Sequence, residues 1–139
     1  MLCELLVVGW LSLAVPIGYV AAPVTFEDIA PVAGPPGTPP VRVWNTTLSA
    51  EAGPAINVTV FGGLPPYPGG PMVVAERATV DTPTGAVDAV RTKMFMGIEQ
   101  DVVVAYPTNP AGVGSAMVVV HDLPLAEALP LLAGALRPC

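Results

Sequence analysis

Positive charge is nearly absent from this chain. Arg42, Arg77, Arg91, Lys93 and Arg137 are its basic side chains, set against 11 acidic ones for a net charge of -6. Only Arg91 and Lys93 lie close together, and at alternate positions of a strand they share one solvated face. A nucleic-acid-binding surface needs clustered Lys and Arg, because counterion release supplies most of its affinity. Nucleic acid is therefore excluded as a partner. Charged residues make up 12% of the chain, about half the usual share, so the acidic balance does not signal a disordered acidic tail.

Cysteine and histidine are as scarce. Cys3 and Cys139 stand at opposite ends, with no CxxC, no metal-ligand spacing and no disulfide framework. A zinc site on the single histidine, His121, would need several carboxylates to converge on it. The phosphate-cradling patterns GxxxxGK[ST] and GxGxxG are missing, and Gly112 and Gly114 make only GxG in a turn-like stretch. No cofactor and no metal are expected.

What the chain has is apolar residues, 53% of it, with 18 Pro and 14 Gly. At 139 residues it is one domain with material for a core. Frequent Pro and Gly favour turns and short strands over long helices. The organising stretch is residues 101–136, DVVVAYPTNPAGVGSAMVVVHDLPLAEALPLLAGAL. Its two valine runs, around 102–106 and 118–120, flank a Pro/Gly connection and read as an antiparallel hairpin of central strands. Leu125, Ala128, Leu129, Leu132, Ala133 and Leu136 then recur on one helical face. Asp122 is the expected N-cap, Pro124 falls in the first turn, and Pro130 predicts a kink or two short helices.

Earlier in the chain, residues 41–48, 55–61, 72–80 and 86–96 are strand candidates, with a long loop around Tyr67 at 62–71 and a turn at 81–85. Ile56, Val58 and Val60 alternate with Asn57, Thr59 and Phe61, the period of a strand with one inward face. Met94 and Met96 fall on one face as core filler. The fold class expected is α+β, a mainly antiparallel β-sheet of about five to six strands with a C-terminal helix packed on one face. The alternative is an all-β sandwich.

Residues 5–26 carry no charged side chain, and ~20 apolar residues suffice to cross a bilayer. Gly9, Pro16 and Gly18 are tolerated in membrane helices. A secretory signal normally has a positive start, which is missing here, although Val20-Ala21-Ala22 satisfies the small-residue rule for cleavage. The division is residues 1–26 as apolar membrane anchor or signal segment, 27–40 as Pro/Gly-rich linker, and 41–139 as β-rich domain.

The chemistry on offer is thin. Ser115 lies in GVGSAM, which lacks the G-x-S-x-G elbow, and adjacent His121 and Asp122 would point to opposite faces of a strand. Glu99 and Asp101, with His121, are the residues from which a hydrolase-type acid–base site could be assembled. Two Asn-x-Thr sequons make Asn45 and Asn57 glycosylation candidates in a eukaryotic or viral secretory context. The leading expectation is a membrane-anchored or exported binding domain without catalytic chemistry, attached through residues 5–26, with a protein partner or apolar ligand. The rivals are the acid–base enzyme and a C-terminal fragment of a longer exported protein.

Overall fold

The computed structural model of the chain describes residues 3–32, 35–65, 73–95 and 99–139, and of Phe95 and Glu99 it describes the backbone only. Among these residues lie ten strands and one helix. Two short strands, β1 (Leu5–Val8) and β2 (Leu11–Ala14), pair with each other. The other eight form one antiparallel sheet: β3 (Tyr19–Ala21), β4 (Thr25–Ile29), β5 (Val41–Ala50), β6 (Ile56–Phe61), β7 (Val74–Thr82), β8 (Gly85–Phe95), β9 (Glu99–Ala105) and β10 (Ala116–His121). Their order is β3-β5-β6-β10-β9-β8-β7, with β4 beside β5. The helix α1 (Leu125–Ala135) closes the sequence of elements. The architecture is thus mostly antiparallel β with one C-terminal helix, and it has more strands than the five to six expected. Residues 66–72 and 96–98 lie outside the described residues, and with them most of the expected loop around Tyr67, the start of the strand expected from 72, and Met96.

The valine hairpin is the middle of this sheet. β10 pairs with β6 on one side and β9 on the other, and β9 pairs with β8. Val102, Val103, Val104, Val118 and Val120 are buried whichever face they point to, so these central runs show no alternation. Even so, their faces belong to different clusters. Val103, Ala105, Ala116, Val118 and Val120 join the main core, whereas Val102, Val104 and Val119 join Val90 on the opposite face.

The main core is closed by a second layer of two pieces. The β1–β2 hairpin covers β5 and β6, and α1 covers β7, β8 and β9. Val8 and Leu13 come from the hairpin and Leu125, Ala128 and Leu132 from the helix, all in one cluster with Ile56, Val58 and Val60. The hairpin turns at Gly9-Trp10, where Gly9 holds a left-handed φ of 58°. Two-residue hairpin turns favour such a residue because its twist matches the strands. A Cβ on Gly9 would also sit 2.6 Å from Trp44 Cε3, so the turn rests directly on the indole. The cysteines at the two ends of the chain are joined: Cys3 and Cys139 form a disulfide with Cα atoms 5.8 Å apart. This bond ties the hairpin's open end to the segment after the helix.

Residues 5–26, expected as an anchor or signal, form β1, β2, β3 and the start of β4 here, and no helix among the described residues is long and apolar enough to cross a membrane. β3 and β4 lie in succession along the same edge of β5, against 48–50 and 41–45. Pro23 sits in the break between them, a position where its missing N–H disrupts no ladder. Glu27–Ile29, the first residues of the expected linker, belong to β4 and pair with Val41–Val43. Arg42 fastens β4 down through Nε and Nη2, which donate to Asp28 at 2.9 and 3.1 Å, and its guanidinium lies 4.2 Å from the Phe26 ring centroid.

Helix α1 departs from the expectation in its cap and in its buried stripe, and of the two outcomes expected at Pro130 it excludes the division into two short helices. Asp122 is not the N-cap: Pro124 occupies that position with φ -66° and ψ 158°, without a side-chain capping bond. Pro124 forces the preceding residue toward extended backbone, which sets Asp122 too far back, in a left-handed φ of 58°. Pro130 neither ends nor divides the helix. It and Ala126, whose carbonyl its missing N–H would have met, are both exposed, so solvent can satisfy that carbonyl. The buried stripe is Leu125, Ala128, Leu132 and Ala135, while Leu129 and Ala133 are half-buried at its margin.

Candidate functional site

Two uncharged recesses are built by these elements. The first opens where the two pieces of the second layer meet. Trp10 and Ser12 of the hairpin, Pro83 of the β7–β8 turn, Pro107 of the β9–β10 loop, and Leu136 and Pro138 after the helix enclose about 370 Å³. Each wall has a local cause. Trp10 follows the glycine of a tight turn, and its Nε1–H donates to the Phe61 carbonyl at 2.8 Å, fixing the indole. Gly114 lies beneath that bond, with φ 153°, and a Cβ there would stand 2.9 Å from both Phe61 O and Trp10 Nε1. Pro83-Thr84 is a two-residue turn closed by Thr82 pairing with Gly85. No lining residue of this seam cavity carries an ionisable side chain. It can bury an uncharged, largely apolar molecule, and it holds no acid, base or nucleophile stronger than a hydroxyl.

The second recess lies on the opposite face, over β5 and β6. The two sequons stand in register there: Asn45 is opposite Thr59, and Thr47 is opposite Asn57. The third residue of each sequon bonds the first of the other. Thr59 Oγ1 donates to Asn45 Oδ1 at 2.9 Å, and Thr47 Oγ1 donates to Asn57 Oδ1 at 3.1 Å. Asn57 Nδ2 in turn lies 2.8 Å from His121 Nε2, and His121 Nδ1 lies 3.2 Å from Gln100 Oε1. One consistent direction of donation runs from Thr47 through Asn57 and His121 to the accepting Gln100 oxygen, with the imidazole proton on Nδ1. His121 is 8% exposed, so this chain satisfies a buried ring at the end of a central strand.

Two of the expected acid–base residues, His121 and Asp101, do not converge. His121 faces the Asn/Thr side with Gln100, and Asp101, one residue along β9, points to the other face. There Asp101 borders a shallow cleft with Glu76, Arg91 and Asp122, where Arg91 Nε donates to Glu76 at 2.7 Å. The Glu99 side chain lies outside the described residues. Ser115 closes the β9–β10 loop as an isolated bridge to Thr108. Among the described residues no group of three or more His, Cys, Asp or Glu could hold a metal ion.

The sequence singles out Asn45, Asn57 and His121 but does not show that one hydrogen-bond chain joins Asn57 to His121 and that Asn45 is held by the other sequon's threonine. The signal was present: two Asn-x-Thr triplets on consecutive antiparallel strands invert onto each other when their centres align. The seam cavity had no local signal, because its walls come from four separate segments. No protein-family model matches this chain, and no curated protein or solved structure matches it either.

Proposed function

We propose that the protein is an exported, non-catalytic binding domain whose ligand is an uncharged, largely apolar small molecule held in the seam cavity. The observation that carries the reading is that cavity: about 370 Å³, walled by Trp10, Leu136 and prolines with the hydroxyl residues Ser12, Thr82, Thr84 and Thr108 among them, and without an ionisable side chain. Sites of this kind occur at junctions between structural units and take most of their affinity from apolar burial. Export is supported by the Cys3–Cys139 bond, since disulfides persist in oxidising compartments and are rare in the cytosol. Attachment to a membrane through residues 5–26 is a separate proposal. A segment that entered the bilayer would withdraw Val8 and Leu13 from the core, and recovery of the full chain in the pellet after an alkaline carbonate wash would support it.

The binding reading is tested with the neutral fluorophore N-phenyl-1-naphthylamine and the oxidised chain. Saturable enhancement is expected, with at least a tenfold loss in Ser12→Phe, which fills the cavity from a half-buried position beside the core. Absence of saturable binding to the folded protein, or equal binding by a folded Ser12→Phe variant, overturns it.

A further inference from the structure

We infer that the Asn/Thr face of β5 and β6 is a second binding site, for a neutral polyhydroxylated ligand of the saccharide class. The recess there measures about 380 Å³ and is bounded by Pro23, Thr25, Asn45, Thr47, Asn57 and Thr59. Its position follows from the edge of the sheet. The ribbon β3–β4 breaks at Ala22-Pro23-Val24, the Thr46 hydroxyl grips the Ala22 carbonyl across the break at 2.8 Å, and the interruption leaves a hollow over the neighbouring strands.

Three features select the ligand. No residue lining the recess is charged, so an anion or cation would lose hydration without a counter-charge. The polar groups are amides and hydroxyls, which donate and accept side by side as sugar hydroxyls do. They are also held in place beforehand: the two cross-strand bonds and the Asn57–His121 contact fix both asparagines and both threonines. The Asn45 oxygen is engaged by Thr59, which leaves its two amide protons for a ligand oxygen. The threonine hydroxyls, having donated inward, keep lone pairs to accept from ligand hydroxyls. Groups fixed in this way lose little rotamer freedom on binding. The exposed Pro23 ring supplies an apolar wall on which a pyranose can lie.

The seam cavity is on the other side of the sheet, so the two sites can be tested apart. The oxidised, ¹⁵N-labelled chain is titrated with maltose and with N,N′-diacetylchitobiose. With at least one of them, saturable millimolar shifts are expected at the backbone amides of Thr25, Asn45, Thr47, Asn57 and Thr59, and at the Asn45 side-chain amide. Asn45→Leu should weaken binding about tenfold, and Thr25→Val, at an exposed edge position, about threefold. Ser12→Phe should change nothing here. No saturable shift with either disaccharide, shifts centred elsewhere, or undiminished affinity in Thr25→Val and a folded Asn45→Leu overturns the inference.

Discussion

Gly9 shows how much one residue without a side chain can carry. It supplies the left-handed turn between β1 and β2 and lies flat against Trp44. Gly9→Ala meets both constraints at once: the backbone strain costs ~1–3 kcal/mol, and the methyl must displace a ring carbon 2.6 Å away. A loss of at least 2 kcal/mol or so in urea-unfolding free energy is expected. Gly112→Ala, in open space without a left-handed φ, should be close to neutral. Tyr19 acts at the same scale. Burial raises its phenol above the ordinary value, and its hydroxyl donates to the Pro54 carbonyl at 2.7 Å. Because the folded value is the higher one, this stabilisation is full below the unfolded value of about 10 and is lost as pH rises through the folded value. Thermal melts from pH 8 to pH 11 should fall less steeply at the alkaline end for Tyr19→Phe than for the parent, and the variant should start lower.

At the scale of elements, the helix offers the sharpest comparison. Leu132 is 1% exposed and Leu129 half-buried, although both fall on the stripe drawn from the sequence. Leu132→Ala should cost ~2–5 kcal/mol by leaving a cavity, Leu129→Ala roughly half that, and Glu127→Ala less than about 0.5 kcal/mol. Urea midpoints in that order check it; equal midpoints would detach the helix from the core. The periodic elements were legible. Ile56–Phe61 and the helix follow from spacing, because burial on one side imposes a period of 2 or 3.6, and the valine strands follow from β-branched runs bounded by turn residues. The first four strands were not. LLVV and LSLA are too short and too uniformly apolar to show a period, and an uncharged run of that length satisfies a bilayer as well as a core. Asp122 misled for a related reason: capping preference is a property of position, and Pro124 moved the position by two residues. The polar chain through His121 needed the register of β5 on β6 and of β10 on β6, which only the finished sheet fixes.

For the whole molecule, the decisive feature is that the second layer has two pieces far apart in sequence. The hairpin and α1 lie at opposite ends of the chain and meet over one sheet, with the Cys3–Cys139 bond beside their junction. The bond spans a sequence separation of 136 residues. Closing so long a loop removes much of the unfolded chain's freedom, and ~2–5 kcal/mol of stability is expected to depend on it. Cys3→Ser with Cys139→Ser, or reduction of the bond between these two exposed residues by dithiothreitol, should lower the urea midpoint by a matching amount. The fold itself should persist by circular dichroism, since the sheet ladder does not use the bond. An unchanged midpoint would show that the hairpin and helix hold their places by packing alone.

The same bond makes the chain a covalent ring, and this changes how it would bear a load. Tension applied through handles beyond residues 3 and 139 would run along the sulfur–sulfur link and bypass the strands. The ring stores about 450–490 Å of contour, taking 3.3–3.6 Å per residue over that separation. In a single-molecule pulling experiment the oxidised protein should therefore yield almost no length. Adding a reductant should release the stored contour, so that the sheet is torn open only after the tether has been cut.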